Sequence, residues 1–504
     1  MKKLLALVLS LVFILSLTTC VSLAEEEPVT LKMLQRLPAS YVVEGNPVIE
    51  AWGEMLGVKI EIEAPPISSY NDRRNIILAS PELPDIIYVG DTGSSYAKWA
   101  ADGLFLDLTD YLNEEDMPNA YRVLTDLELN SVKVASLDNH IFSLPRVQTK
   151  PMDTILYRKD WLDKLNLEVP TTPSEFAAVM EAFTTLDPDG NGIDDTYGFT
   201  INLPMGAAHR SITSAFDMRP SEVPDAEGNY QVMEAQEGYM DYLDWLREMY
   251  LGGYIEPEFY LITNYEDRDQ FHAGKVGAVY ANMVVEHYIT EMSETAWVDK
   301  NFELVAGGPL CKEGEDVANV YYNPQIWGNY AISATTEHLD EAIAFLDACY
   351  TDAVNELLMF GVEGVTYTTF NHEGHYSTKT EEQLANWQKY CATYATINYQ
   401  CEDKGLLIAN GNTEEEVALF NAANDAIAAM TNRVTFLSGG SLPGVAAENT
   451  KIVDMGITDK FGELRTKYIC GQIERDEMVD FLTNEYAPAY EALEAIYAEY
   501  DMNK

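Results

Sequence analysis

The chain has 504 residues, and its 82 acidic residues against 32 basic ones give a formal net charge of −50. Such a charge repels phosphate backbones and anionic membrane surfaces, so it excludes nucleic-acid binding as a function class. Hydrophobic residues make up 47% of the sequence, which is typical of a folded globular protein rather than a disordered one. The length predicts more than one domain, and two lobes with separate cores are the natural division.

The N-terminus has the features of an export signal. Two lysines precede an apolar run, Leu4–Leu17, that is too short to span a bilayer. Residues 1–24 are therefore predicted to be a signal peptide. Two processing sites compete, because cleavage after Ala24 fits the small-residue rule while the segment ending at Cys20 resembles a lipobox. We expect the protein at the extracellular face of the cell membrane, either secreted or lipid-anchored at Cys20.

The first part of the mature chain alternates strand and helix patterns. Val29–Leu34 and Val58–Ile62 are predicted strands, and Pro47–Leu56 between them has helical spacing. A strand–helix–strand unit predicts a parallel sheet. Ile86–Val89 is a continuous apolar run, typical of a buried parallel strand. The chain is then expected to cross into a second lobe between Ile141 and Leu156.

The second lobe begins with a helix that carries its own start signals. Thr172 and Glu175 form a capping-box pattern, and Pro173 occupies the first helical position. The apolar residues of the predicted inner face follow at helical spacing and are Phe176, Met180, Phe183 and Leu186.

Residues 187–196 have the oxygen pattern of a calcium-binding loop. Loop positions 1, 3, 5, 7 and 9 are supplied in order by Asp187, Asp189, Asn191, the Ile193 carbonyl and Asp195. Gly192 at position 6 permits the sharp turn, and hard oxygen donors suit Ca²⁺. Position 12 is Gly198 instead of the usual glutamate, and a strand pattern follows, so the loop departs from an EF-hand. We expect a structural Ca²⁺ here, with an Asx-rich turn that binds no metal as the alternative.

The return to the first lobe is predicted at Leu304–Leu310. After it, Tyr330–Ser333 is a predicted strand and Leu339–Tyr350 a predicted helix. The C-terminal part is mostly helical, with the strongest patterns at Glu416–Met430 and Arg475–Tyr500. These patterns together predict an α/β protein.

Several short segments, in this order along the chain, carry a family resemblance. They are Leu83–Ile86, Gly103–Leu108, Leu144–Arg146, Arg158–Leu162, Val169–Thr172 with the loop that begins at Asp187, Phe271–Gly277 and Gly361–Tyr367. In order and spacing they resemble the extracellular solute-binding proteins (family 1) of carbohydrate ABC transporters. The LipO-like and alginate-oligosaccharide-binding members are the most similar.

This resemblance implies a type II periplasmic-binding-protein fold, in which two lobes are joined by a double-crossover hinge. The expected first lobe is 25–145 plus 310–375, and the expected second lobe is 146–309 plus 376–504, with the calcium loop. The implied function is capture of an oligosaccharide between the lobes and its delivery to ABC permease subunits in the membrane. We expect a monomer that is not an enzyme.

The sugar-binding residues are sought among the aromatic residues, because flat sugar faces stack on aromatic rings. Trp327 is the leading candidate, since it lies in a predicted loop, Tyr321–Asn329, before a strand, and loops at strand ends bind ligands in open α/β sheets. Arg146 and Asn282 are candidate partners for sugar hydroxyls. Tyr96 and Trp99 are weaker candidates, because their segment also fits a helix that packs on the sheet.

Two other classes of function stay open at this stage. The sequence contains none of the GxSxG, HExxH or phosphate-loop motifs, so no residue is nominated as catalytic. An extracellular polysaccharide-active enzyme is nevertheless the alternative, since carboxylate pairs arise by chance among so many acidic residues. A binder of a non-sugar solute such as a peptide is the other alternative.

Overall fold

The fold was derived from a computed structural model of the full chain. It describes residues 28–38, 40–90, 94–125, 133–134, 137–148, 154–201, 210–262, 266–281, 303–322, 325–371, 376–391, 425, 428–435, 439 and 442–500. The predicted signal peptide and the helix predicted at Glu416–Met430 lie outside these residues, apart from residues 425 and 428–430 of that helix.

The strands of the described part are β1 (Thr30–Leu34), β2 (Lys59–Glu63), β3 (Ile86–Gly90), β4 (Lys133–Val134), β5 (His140–Ile141), β6 (Leu144–Gln148), β7 (Thr154–Arg158), β8 (Tyr197–Thr200), β9 (Val276–Ala281), β10 (Leu304–Ala306), β11 (Ala318–Tyr322), β12 (Gln325–Ile332), β13 (Thr369–Asn371), β14 (Tyr376–Thr378) and β15 (Thr431–Thr435).

The α-helices of the described part are α1 (Pro47–Leu56), α2 (Tyr70–Leu78), α3 (Ser94–Ala101), α4 (Pro118–Thr125), α5 (Lys159–Leu165), α6 (Pro173–Thr185), α7 (Arg210–Thr213), α8 (Glu237–Leu251), α9 (Glu266–His272), α10 (Leu339–Ala348), α11 (Asp352–Phe360), α12 (Glu381–Tyr390), α13 (Val445–Asp454), α14 (Ile457–Ile469), α15 (Arg475–Phe481) and α16 (Ala487–Tyr500). A π-helical turn, Leu482–Tyr486, joins the last two.

The first lobe is built on a five-stranded sheet with the order β2-β1-β3-β12-β6. The pairs β1–β2 and β1–β3 are parallel, whereas β12 runs antiparallel to both β3 and β6. The parallel unit predicted from the first strand–helix–strand pattern is therefore confirmed. Every residue of β3 is buried, as its continuous apolar run predicted. Asn46 caps α1 by accepting from the Val48 and Ile49 backbone N–H groups.

The second lobe is built on a four-stranded sheet with the order β10-β7-β9-β8. Helix α6 packs on β8 and buries Phe176, Met180 and Phe183, as predicted. Two details differ from the sequence prediction. Leu186 ends the helix and is 57% exposed, and Glu175 reaches back to the N–H and hydroxyl of Thr171, one residue before the expected cap.

The lobe boundaries differ from the predicted ones at two places. Strand β10 pairs with β7, and residues 310–311 bond to the Ser211 and Thr171 carbonyls, so this stretch still belongs to the second lobe. Helix α12 lies with the first lobe beyond the predicted boundary at residue 375, because Trp387 Nε1 donates to the Met359 carbonyl at 2.7 Å. Periodicity identifies a helix but carries no information about which core it joins.

Consequently, the described chain changes lobes at three places. The connections are 149–153, 323–324 and 392–424, all outside the described residues. The first lies within the predicted hinge Arg146–Leu156, the second replaces the one predicted at Leu304–Leu310, and the third was not predicted. Among the described residues, no helix combines the length and the apolar character that crossing a bilayer requires.

Candidate functional site

In both sheets, the carboxyl ends of the strands that run in one direction lie at the edge from which the chain passes to the other lobe. In the first lobe, β1, β3 and β6 run in one direction, and β6 leads directly into the first connection. In the second lobe, β8, β9 and β10 run in one direction and end beside the start of β7, which follows the same connection. The carboxyl ends of these strands therefore border the space between the lobes, which is where open α/β sheets bind ligands.

A group of buried tyrosines lies at this edge of the first lobe, and we call it the tyrosine cluster (Tyr70, Tyr88 and Tyr330). The Tyr70 hydroxyl donates to the Tyr88 carbonyl at 2.5 Å. The Tyr88 ring meets the other two edge-on, with centroid distances of 5.5 and 5.2 Å. Gln35, which follows β1, donates its amide to the Tyr330 hydroxyl at 2.8 Å. Burial raises the pKa of the Tyr330 and Tyr70 phenols, so both remain neutral hydrogen-bonding groups.

Two arginines flank the tyrosine cluster. Arg74 donates to the Val89 carbonyl at 2.7 Å, and its guanidinium lies 4.7 Å from the centre of the Trp99 ring. Arg146 lies on β6 and is only 5% exposed. It lies between the pairs Pro145–Asn329 and Val147–Ile326, so its backbone borders the part of β12 that leads into Tyr330. The edge thus concentrates donors that suit sugar hydroxyls in an otherwise acidic protein.

Strand β12 bends sharply where it passes the tyrosine cluster. Its pairing with β6 shifts register between Ile326 and Asn329, and Gly328 has a φ of +135°. A Cβ at Gly328 would lie 2.2 Å from the Tyr88 ring, so only glycine fits. Asn329 donates to the Gly90 carbonyl at 3.1 Å, while its buried Oδ1 accepts no hydrogen bond from any described residue. Asn329 has no exposed surface, so this oxygen lies inside the bend.

The structure places the predicted sugar-binding residues in different surroundings. Trp327 was expected in a loop, but its backbone belongs to β12, which begins at Gln325; its side chain lies outside the described part. Arg146 lies at the strand edge, as its position after Leu144–Pro145 suggested. Asn282 directly follows β9 but is itself outside the described residues.

The two weaker candidates lie on α3. Tyr96 has no exposed surface, and its hydroxyl accepts hydrogen bonds from Phe142 N–H and Ser143 Oγ at 3.2 and 2.9 Å. A side chain without exposed surface offers a ligand nothing to contact, so Tyr96 packs α3 on the sheet in this conformation. Trp99 is half-buried and meets Phe105 edge-on, which leaves part of its ring accessible beside Arg74.

Sequence reasoning missed most of the strand edge. Gln35 had a signal, because a polar residue directly after a predicted strand is a ligand candidate in an α/β sheet. Asn329 was predicted as the last residue of a loop, and Tyr330 as the first residue of a strand. Arg74 had no signal, because its role depends on the sheet against which α2 packs.

The predicted calcium loop is a tight turn stabilised by its own acidic residues. Asp187 accepts from the Gly190 and Gly192 backbone N–H groups at 3.0 and 3.2 Å. The Asn191 amide donates to Asp189 Oδ2 at 2.8 Å and to Asp195 Oδ1 at 3.1 Å. This amide nitrogen therefore lies between two carboxylates, where a cation would bind.

The chemistry of the loop fits a cation, although its carboxylates do not converge as in a formed site. No group of three or more His, Cys, Asp or Glu side chains among the described residues is positioned to hold a metal ion. Burial raises the pKa of the Asp189 carboxyl, and the nearby Asp195 and Asp187 carboxylates raise it further. A half-turn of the Asn191 amide would replace its nitrogen by an oxygen and complete the predicted donor set.

The departure from the EF-hand at loop position 12 has a steric reason. Gly198 lies in β8 directly against α6, and a Cβ at this position would lie 2.5 Å from Met180 Cβ. A glutamate there would separate the strand from the helix. The loop therefore leads into a strand of the sheet, as its sequence predicted.

Comparison with known proteins identifies what this chain is similar to. The family model for bacterial extracellular solute-binding proteins matches residues 45–356. The lipoprotein LipO of Bacillus subtilis is 27% identical over 329 residues, which cover 64% of each chain. The polygalacturonan/rhamnogalacturonan-binding protein YtcQ of the same bacterium is 25% identical over 340 residues, or 66% of each chain. The chain thus spans just under two thirds of the length of these relatives.

Solved structures share the fold over nearly the whole chain. Alginate-binding protein AlgQ2 without calcium ion has a TM-score of 0.63 and 18% identity, covering 95% of this chain and 97% of its own. The S. pneumoniae substrate-binding protein FusA in complex with kestose has a TM-score of 0.65 and 17% identity, with coverages of 94% and 98%. Its EF-hand mutant in complex with fructo-nystose has a TM-score of 0.63 and 17% identity, with coverages of 94% and 100%. The predicted two-lobed α/β binding-protein fold is therefore confirmed.

Proposed function

Because the chain belongs to the family of bacterial extracellular solute-binding proteins, we propose that it captures an oligosaccharide between its lobes and delivers it to an ABC permease. The observation that carries this proposal is the strand edge of the first lobe, where Arg74, Arg146, Gln35 and Asn329 gather around the tyrosine cluster. The ligands of the relatives YtcQ, a polygalacturonan/rhamnogalacturonan-binding protein, and FusA, a fructooligosaccharide-binding protein, support a carbohydrate.

The mechanism is closure of the two lobes on the ligand. Each lobe contributes its own strand edge, so a sugar that contacts both edges binds more tightly to the closed state than to the open one. Only this difference in affinity can shift the equilibrium between the two states. We place one hinge within Arg146–Leu156, where the chain passes from β6 to β7.

In this mechanism, donors and aromatic rings have separate tasks. Arg74 and Arg146, which keep some exposed surface, supply N–H groups to sugar hydroxyls. Trp327 and the accessible part of Trp99 supply flat apolar surface to the C–H face of a ring. Trp327, Arg146, Asn282 and Trp99 remain our proposed contacts. We leave Tyr96 out, because it is fully buried.

We also propose that residues 187–196 bind a structural Ca²⁺. The FusA and AlgQ2 structures named above, one an EF-hand mutant and the other solved without calcium, support calcium binding in proteins of this fold. In this chain Asp187, Asp189, Asn191, the Ile193 carbonyl and Asp195 would hold the ion. When bound, Ca²⁺ neutralises the carboxylates and links the end of α6 to the start of β8. It has no part in ligand chemistry.

The family description also supports a location outside the cell. The relative LipO is a lipoprotein, which supports anchoring of this chain through Cys20 at the outer face of the membrane. Cleavage after Ala24 would instead release the protein. Mass spectrometry of the mature N-terminus distinguishes the two, because a lipidated Cys20 adds acyl chains that cleavage after Ala24 removes.

Calorimetry against short oligosaccharides tests the proposed function, and chromatography of the same mixtures tests for an enzyme. We expect saturable binding of at least one oligosaccharide and no change in its length after prolonged incubation. Shorter products would establish the polysaccharide-active enzyme instead. Binding of peptides in the absence of any glycan binding would establish the non-sugar alternative.

A further inference from the structure

The second lobe contains a cavity whose lining includes no residue of the tyrosine cluster. Its volume is about 280 Å³. Strand β11 forms one wall, where Asn319 and Tyr321 alternate with the buried Ala318 and Val320 and so lie on the opposite face of the strand. The other lining residues come from α7 and the segments that follow it, and they are Arg210, Thr213, Ser214, Met218, Arg219, Pro220, Ser221, Glu222, Met233 and Glu234.

The cavity lies at the edge of the second lobe that borders the first. Strand β11 ends at Tyr322, directly before the connection 323–324. Helix α7 is bound to the segment that follows β10, because Leu310 N–H donates to the Ser211 carbonyl at 2.6 Å and Ser214 Oγ donates to the Leu310 carbonyl at 2.9 Å. The carboxyl ends of β8 and β10 border the same edge, so the cavity lies on the side of the second lobe from which the chain passes to the first.

The polar groups of the cavity are held in place by the surrounding structure. Arg219 Nε donates to the Val223 carbonyl at 3.1 Å, and its Nη1 donates to Gln236 Oε1 at 3.4 Å. Gln236 in turn donates to the Arg219 carbonyl at 2.9 Å. This mutual bonding fixes the guanidinium before a ligand arrives, which lowers the entropy cost of binding.

The lining combines donors, acceptors and apolar surface. Arg210 and Arg219 are donors, and the Asp225 carboxylate, 4.0 Å from the Arg219 guanidinium, offsets the charge of that arginine. Glu222 and Glu234 add two carboxyl groups to the lining. Tyr321 offers a hydroxyl and a ring face, and two methionines offer apolar contact. A ring with several hydroxyls and a hydrophobic face matches this mixture, whereas an anion would meet as many carboxyl groups as guanidinium groups.

The size of the cavity sets a limit on its occupant. Sites for whole drug-sized ligands span roughly 300–1,000 Å³. A cavity of about 280 Å³ therefore receives only part of an oligosaccharide, such as one terminal ring.

We propose that this cavity is the sugar subsite of the second lobe and that it receives one neutral, hydroxylated ring of the captured oligosaccharide. This inference rests on the proposed function, because it assumes that the ligand is a glycan. It assigns Asn319, Tyr321 and Arg219 to ligand binding, none of which sequence reasoning selected.

The test compares two variants of the same interstrand pair. Asn432 Nδ2 donates to Asn319 Oδ1 at 2.8 Å, so Asn319→Ala and Asn432→Ala both remove this hydrogen bond. Only Asn319 lines the cavity. Affinities are measured by calorimetry for kestose, cellotriose, xylotriose and trigalacturonate, with a melting curve for each variant. Tyr321→Ala is the second cavity variant.

We expect wild type to bind a neutral trisaccharide, and we expect Asn319→Ala and Tyr321→Ala to weaken that binding by about tenfold or more. Asn432→Ala should stay within about twofold of wild type, because the interstrand bond itself is exposed. Equal affinities for all four proteins would overturn the subsite and leave the proposed function intact. Binding of trigalacturonate alone would overturn the neutral occupant, and binding of no glycan would overturn both the subsite and the proposed function.

Discussion

At Gly328, one added carbon would meet both an unfavourable backbone conformation and a packed aromatic ring. Its φ of +135° is rare for residues with a Cβ, and that atom would overlap the Tyr88 ring at 2.2 Å. We predict that Gly328→Ala lowers the free energy of unfolding by at least about 1–3 kcal/mol, as backbone strain of this kind does. Gly462→Ala is the matched control, because its Cβ meets nothing within 4 Å on helix α14.

Denaturant unfolding distinguishes the two glycine variants. The control should gain roughly 0.5–1 kcal/mol, since alanine is the better helix former. A Gly328→Ala variant as stable as wild type would mean that β12 follows another path past Tyr88.

His140 provides a test of local electrostatics. Its Nδ1 is paired with the Asp107 carboxylate, which raises the pKa of the imidazole above its usual value of about 6.5. A raised pKa in the folded state stabilises the fold at low pH, and this contribution disappears as the pH rises through the pKa of the folded state. NMR titration should show the elevated pKa, and Asp107→Asn should lower it. A pKa of 6.5 or below in wild type would contradict the pairing.

Trp327 remains our leading ring-stacking residue, although it lies on a strand and not in a loop. If it stacks on a sugar, Trp327→Ala should reduce affinity by about 2 kcal/mol or more. If its ring is core, the variant should instead lose roughly 3–5 kcal/mol of stability. Affinity and melting temperature must therefore be measured on the same preparation. A stable variant with normal affinity would remove Trp327 from the site.

At the level of elements, the acidic loop 187–196 connects α6 to β8, and its carboxylates are the proposed ligands of Ca²⁺. Bound Ca²⁺ stabilises the folded state in proportion to its occupancy, by about 2.7 kcal/mol at one hundred times the dissociation constant. EDTA should therefore lower the melting temperature of wild type and leave Asp189→Ala unchanged. Asp194→Ala is the control, since Asp194 is not among the predicted ligands. Identical melting curves for wild type with EDTA and with Ca²⁺ would contradict the calcium site.

Local elements were the most predictable part of the fold. Asn46 and Thr172 cap the two helices whose starts were read from the sequence, and β3 is the buried strand that its apolar run indicated. These features depend on residues within a few positions of one another. The lobe to which an element belongs depends on distant contacts, which is why α12 and β11 were assigned to the wrong lobes.

For the whole molecule, the separate strand edges of the two lobes predict a change of shape on binding. A ligand that contacts both edges should bring the lobes together, so the radius of gyration measured by small-angle X-ray scattering should fall at saturation. The trisaccharide that binds in calorimetry is the ligand to use, and one that does not bind is the control. An unchanged radius despite proven binding would favour a rigid groove.

The sequence by itself determined the α/β class, the two-lobed family fold and the net charge of −50. It also determined the course of the chain from α6 through the acidic loop to β8. All of these follow from composition, short-range periodicity or a family pattern.

Only the tertiary structure decided the strand order, the points at which the chain changes lobes and the composition of both candidate sites. Gln35 bonds Tyr330 across 295 positions of sequence. Asn319 pairs with Asn432 across 113 positions of sequence. Such contacts form only when the strands have taken their places in the sheets. Residues so far apart in the sequence come together only through the packing of whole elements.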